Sequence, residues 1–173
     1  AAVVVGVYRD GKPHVFGYGK VFLRTGEQTP AGDSIFAIGS ITKGFTGVLL
    51  ADAVRRGEVK LDAPANDYLP PDLRLRQKGD KPITLGHLAT HMAGLPVQPW
   101  DVVSSARDKR NAYAEYDRKK LSALLAKLEP ERAAGEAPPG KDDGYSNLGA
   151  GLVGHALVHA AKAPSYDWLL RER

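Results

Sequence analysis

Apolar residues fill positions 2–8 (AVVVGVY) almost without interruption and return through 14–21 (HVFGYGKV), with Asp10-Gly11-Lys12-Pro13 between the two runs. β-Branched residues within the runs and turn residues between them predict one β-hairpin. An unbroken apolar strand is expected to be buried on both faces, and a lone hairpin is only marginally stable in water. No later segment has comparable strand character, so the sheet is expected to be completed by polypeptide outside this chain. The abrupt ends carry the same expectation: the chain starts inside a strand and stops after Leu169-Leu170-Arg171-Glu172-Arg173 without a termination signal.

From Ser34 onward the pattern turns helical. Ser40 to Arg56 reads as one helix ended by Gly57, and Thr84 to His91 as a short one before Ala93-Gly94-Leu95-Pro96. Leu121, Leu124, Leu125 and Leu128 recur at i, i+3, i+4 and i+7, the mark of an amphipathic helix that stops before Pro130. A polar loop from Pro138-Pro139-Gly140 through Asp142-Asp143-Gly144 leads to Tyr145, followed by helices over 147–161 and 165–171. The fold class expected is mixed α/β (α+β), with residues 1–26 a sheet hairpin and residues 27–173 mainly helical.

Composition narrows the function classes. The 173 residues are 43% hydrophobic and 25% charged with no cysteine, a globular profile that excludes disorder and a disulfide scaffold. No run approaches the roughly 18 uncharged apolar residues of a membrane span, and Ala1 to Val5 lacks the length and basic flank of a signal peptide. A net charge of +4 points only weakly to polyanions. Its densest source, Arg107 to Lys120, also holds Asp108, Glu115 and Asp117, which reads as a solvated helix face rather than a nucleic-acid surface.

Lys43 is the sharpest chemical anomaly. Between Ile35 and Val54 the only charged residues are Lys43 and Asp52, and a helix apolar nearly all round is a buried helix. A buried ammonium needs a partner or a lowered pKa. Ser40 stands three residues back, on the same face and at the helix N-terminus, where backbone N–H groups and the dipole favour developing negative charge. A lysine beside a serine hydroxyl is one way to make a nucleophile. Ser-x-x-Lys arises by chance about once in a chain of this length, so the weight rests on the apolar setting. Against it stands the plain alternative of Ser40 as an N-cap with Lys43 reaching to solvent.

Tyr145-Ser146-Asn147, at a loop-to-helix junction, is the second candidate. A phenol near a lysine cation can move protons, and Asn147 can orient the lysine or a substrate carbonyl. An ordinary buried tyrosine and a capping asparagine account for the same residues. His87 with His91, and His155 with His159, are spaced i, i+4, but neither pair carries the glutamate of a zinc protease or an evident third ligand, so no metal is expected. Arg24-Thr25-Gly26 resembles a cationic substrate-binding strand, for which a hairpin end is the simpler explanation.

Taken in order, these segments resemble the serine β-lactamase and penicillin-recognising family, closest to class C β-lactamases, D-alanyl-D-alanine carboxypeptidases and related esterases. The resemblance runs from the hairpin through Phe36-Ala37-Ile38-Gly39-Ser40-Ile41-Thr42-Lys43, Gly57 to Asp62, Ile83-Thr84-Leu85, Leu88-Ala89-Thr90-His91, Gly94-Leu95-Pro96 and Pro139-Gly140 to Tyr145-Ser146-Asn147. It implies an antiparallel sheet flanked by helices plus a mainly helical domain, of which this chain is an incomplete N-terminal part lacking later strands. It implies an acyl-enzyme hydrolase acting on β-lactams or D-alanyl peptides, with a carboxylesterase, a non-turnover penicillin-binding sensor and a catalytically silent fragment as alternatives. Ser40 matches the acylated nucleophile and Lys43 its activating partner. Tyr145 matches the general base or acid, Asn147 the residue touching both lysine and substrate amide, and Gln98 the glutamine that binds an acylamide side chain. No cofactor is implied. The partners implied are a small-molecule substrate and the missing C-terminal part of the same fold, without nucleic acid, and relatives imply a periplasmic or secreted location. The family's Lys-Thr-Gly or His-Thr-Gly strand, which supplies half of the oxyanion hole, has no counterpart in this chain. Asp142-Asp143-Gly144 is more acidic than the usual approach to the tyrosine.

Overall fold

A computed structural model describes residues 1–23, 26–102, 111–136 and 144–173. It divides into two compact units, residues 1–39 and 40–173. In the first, β1 (Ala2–Arg9) pairs antiparallel with β2 (Lys12–Gly19), Arg9 facing Lys12 across the turn. Asp10 and Gly11 both take positive φ, 52° and 74°. That is the two-residue turn whose twist matches a hairpin, and Asp-Gly is among its preferred pairs. The turn is therefore tighter than the four residues expected, and Lys12 and Pro13 belong to β2.

Two expectations for this unit change. A second antiparallel pair, β3 (Val21–Leu23) with β4 (Gly26–Gln28), follows β2 where no further strand was expected. Strands of three residues are too short to show an alternating pattern. The hairpin side chains expected to be buried are open in this chain: Val3, Val5, Val7, Val15 and Phe16 are all exposed.

The second unit is helical. A 3-10 turn, Gly39–Ile41, leads into α1 (Thr42–Arg55), which Gly57 at φ 72° terminates. Then come α2 (Leu85–Ala89), α3 (Arg118–Leu125), α4 (Asn147–Ala160) and α5 (Tyr166–Glu172). Their N-termini are capped by side chains: Thr84 on His87 N, Asp117 on Lys120 N, Ser146 on Gly149 N and Ser165 on Trp168 N. Within the basic segment, α3 begins at Arg118. Residues 112–115 are turns and 116–117 lead into the helix, and 107–110 lie outside the described residues.

α4 is the axis of the unit, packing against α1, α2 and α5. Leu148, Leu152, Val153, Ala156 and Leu157 are buried along it and join one core with Leu49, Leu50, Ala53, Leu85, Leu88 and Leu169. α5 packs on α4 at Gly154, where a Cβ would stand 3.4 Å from the Tyr166 ring. α1 is not the all-round buried helix expected. Thr46, Leu49, Leu50 and Ala53 are buried, whereas Phe45 is 52% and Val48 69% exposed, because α4 and α5 cover one side of it. Among the described residues, no helix is long and apolar enough to cross a membrane.

Leu152 is fully buried at the centre of this core. Leu152→Ala should cost about 2–5 kcal/mol of stability, read as a lower urea midpoint with an unchanged slope.

Candidate active site

Two helix N-termini meet at the site. Ser40 sits in the 3-10 turn before α1, and Lys43 follows in the first turn of α1. The α1 start has no side-chain cap, so the Ser40 hydroxyl is not used for capping. It faces Lys43 instead, three residues on along one face. At the second terminus, Ser146 caps α4, which places Tyr145 just before the helix and Asn147 at its first position. The alternatives of Ser40 and Asn147 as caps therefore do not hold, because Ile41 and Ser146 occupy those positions.

Packing of α1 on α4 joins the two ends. Lys43 Nζ donates to Ser40 Oγ at 3.0 Å and to Asn147 Oδ1 at 2.6 Å. Ser40 Oγ and Tyr145 OH share a hydrogen bond of 2.7 Å. The Lys43 ammonium also lies 4.8 Å from the centre of the Tyr145 ring, a cation–π distance. Ser40 is exposed and Lys43 half-buried: the hydroxyl is reachable from solvent while the cation behind it is held by partners. An alkoxide forming on Ser40 would face an ammonium and a helix N-terminus, both of which stabilise negative charge.

Gln98 does not bond to these residues. Its Oε1 accepts from Tyr113 OH at 3.0 Å, and it lines a cavity of about 330 Å³ together with Val97, Glu131, Arg132 and Tyr145. A second cavity, about 470 Å³, is lined by Lys43 and Asn147 with Thr46, Arg118, His155 and Tyr166. Within it Thr46 Oγ1 and Tyr166 OH share a hydrogen bond of 2.6 Å, tying α5 to α1 one turn beyond Lys43. Nothing in the sequence marks that pair, since 120 residues separate its members.

The histidines have structural employment. His87 Nδ1 accepts from Thr84 N at 3.2 Å, completing a capping box, and His91 Nδ1 accepts from Ser146 N at 3.1 Å. His159 Nδ1 lies 3.0 Å from Tyr68 O. Among the described residues there is no cluster of three or more His, Cys, Asp or Glu able to hold a metal. Arg118 clamps Asp72 through two bonds, 2.8 and 2.7 Å, and holds its carboxyl below the usual carboxylate range. His155 nearby is pushed below its ordinary 6.5, by burial first and the Arg118 cation second, with Asp72 opposing. Arg24 and Thr25, and the approach to Tyr145 over residues 137–143, lie outside the described residues.

The family model described as Beta-lactamase matches residues 1–173. A β-lactamase of Escherichia coli K12 is 34% identical over 172 residues, covering 99% of this chain and 40% of the relative. The D-alanyl-D-alanine-carboxypeptidase/endopeptidase AmpH of the same organism is 35% identical over 173 residues, with 95% and 40% covered. Among solved structures, a β-lactamase/D-alanine carboxypeptidase from Yersinia pestis, complexed with citrate, aligns with a TM-score of 0.75 at 28% identity, over 99% of this chain and 45% of that one. A class C β-lactamase from Rhodobacter sphaeroides aligns at 0.66 and 33% identity, over 97% and 41%. The mixed α/β architecture is that of these neighbours, and the chain spans about 40% of the length of the curated relatives it matches.

Ser146 is 2% exposed, and its hydroxyl both caps α4 and donates to Pro96 O at 2.7 Å. Ser146→Ala should destabilise the protein by about 1–2 kcal/mol in denaturant titrations. The lowered pKa of His155 has a definite sign. As pH falls through 6.5 the unfolded chain takes up a proton that the folded one refuses, so stability drops until the folded value is passed. Between about pH 7.5 and pH 5 the wild type should lose more stability than His155→Gln.

Proposed function

Because the chain belongs to the Beta-lactamase family, whose model it matches over residues 1–173, we propose that it forms the nucleophile-bearing part of a serine hydrolase that works through an acyl-enzyme. The observation that carries this reading is the convergence of Lys43 Nζ, Tyr145 OH and Asn147 Oδ1 around one serine hydroxyl, with Ser40 Oγ within 3.0 Å of both Nζ and the phenol oxygen.

The chemistry follows from that arrangement. Ser40 Oγ adds to the carbonyl carbon of an amide or ester while its proton passes to the Tyr145–Lys43 pair, which receives it with one proton already absent, as a phenolate oxygen beside the ammonium. The tetrahedral intermediate then expels the amine or alkoxide, which takes the proton from the same pair as the C–N or C–O bond breaks. A water molecule repeats the sequence on the acyl ester: its oxygen joins the carbonyl carbon, its proton enters the pair, and the Ser40 Oγ–acyl bond breaks. The product acid departs and Ser40 regains its hydrogen. Asn147 holds the Lys43 ammonium through Oδ1 and leaves its amide nitrogen for a substrate carbonyl. Gln98, on the cavity it shares with Tyr145, fits a subsite for an acylamide group, which favours β-lactam or D-alanyl peptide amides over simple esters. A location outside the cytoplasm agrees with such substrates.

The test is covalent. Incubating the complete protein with a penicillin or a fluorophosphonate should add the reagent's acyl or phosphonyl mass to the peptide containing Ser40. Ser40→Ala should take up none and lose roughly 10³-fold or more in turnover. A folded protein with no adduct from either reagent would overturn the reading, and persistence of the penicillin adduct over hours would assign a binding rather than a hydrolytic role.

A further inference from the structure

We propose that His91 is a positioning residue that sets Tyr145 against Ser40, an inference that rests on the acyl-transfer reading of the site. His91 lies just beyond α2 with φ at 62°, a region that non-glycine residues enter at a cost. That conformation turns its ring onto the Tyr145-Ser146-Asn147 segment. Nδ1 accepts the Ser146 N–H at 3.1 Å, which places the neutral ring's proton on Nε2. The ring itself meets that of Tyr145, centroids 4.6 Å apart and tilted by 44°.

Position along the chain explains why this contact matters. The same loop, five and six residues later, accepts the Ser146 hydroxyl at Pro96 O and the Asn147 N–H at Val97 O, both at 2.7 Å. Those bonds fix the two residues that follow the tyrosine. The peptide plane joining Tyr145 to Ser146 is fixed by His91, and that plane decides the direction in which the phenol leaves the backbone. Tyr145 OH must stay 2.7 Å from Ser40 Oγ, and acyl transfer is sensitive to misplacement of the order of an ångström. Ser146 is almost fully buried, so water is poorly placed to take over as acceptor if the imidazole is removed.

Two substitutions separate positioning from mere structural support. His91→Gly tolerates the positive φ but removes both ring and acceptor. His91→Asn also tolerates it and returns an acceptor, Oδ1, near the place of Nδ1. The complete protein and both variants would be followed by stopped-flow acylation with a chromogenic penicillin or a fluorophosphonate, with thermal melts as the folding control. His91→Gly should acylate about tenfold more slowly at saturating reagent, with the half-saturation concentration changed by less than about twofold. His91→Asn should return to within about threefold of wild type. Wild-type rates in a folded His91→Gly, or a folded His91→Asn as slow as the glycine variant, would overturn the inference while leaving the Ser40 mechanism intact. If His91→Gly fails to fold, His91→Asn alone decides, and a tenfold loss there counts against the inference. Absence of any Ser40 adduct in the wild type would overturn the mechanism and this inference with it.

Discussion

The Lys43 ammonium is placed where electrostatics alone would not put it. It stands between the starts of α1 and α4, both positive ends of helix dipoles, and both repel a cation. Three acceptors offset that repulsion: the Asn147 carbonyl oxygen at 2.6 Å, the Ser40 hydroxyl at 3.0 Å and the face of the Tyr145 ring at 4.8 Å. The arrangement persists because the helices are locked by apolar packing around Leu49, Leu50, Leu152 and Val153. Positive potential is thereby stored around one hydroxyl. Under the proposed function, that potential would stabilise the anion formed when the hydroxyl attacks a carbonyl.

The same constraint accounts for how the rest of the unit is built. The loop from His91 to Val97 has little regular structure, yet it accepts bonds from Ser146 and Asn147. Behind Lys43 the Thr46–Tyr166 bond fastens α5 to the same helix, and the Arg118–Asp72 clamp anchors α3 at the edge of the 470 Å³ cavity. Relatives of similar architecture, including a β-lactamase and a D-alanyl-D-alanine carboxypeptidase, are more than twice as long as this chain, which covers 40% of each.

Lys43 was legible in the sequence because a charge in an apolar helix violates the pattern around it, and Ser40 followed from helical spacing. Tyr145 and Asn147 stood out only as a candidate at a loop-to-helix junction, with a buried tyrosine and a capping asparagine as the plain alternative, and Gln98 entered through the resemblance alone, since no periodicity links such distant positions. The helix after Asp117 was found by its leucine spacing, and the hairpin by two apolar runs around a turn at Asp10-Gly11. What the pattern misjudged was coverage. Hydrophobicity reports that a face needs burial, not whether a partner is present, so α1 and β1 read as buried and are partly open. β3 and β4 escaped because three residues show no alternation, and His91 was weighed as a metal ligand because its real partner, Ser146 N, is 55 residues away.

The central claim is that Ser40, Lys43 and Tyr145 act as one unit rather than as independent contributors. A double-mutant cycle on acylation tests it most directly, comparing Lys43→Ala, Tyr145→Phe and the double variant with wild type. If the unit is real, either single change removes nearly all of the activation and the double variant is about as slow as the slower single. Losses that simply multiply would contradict the account.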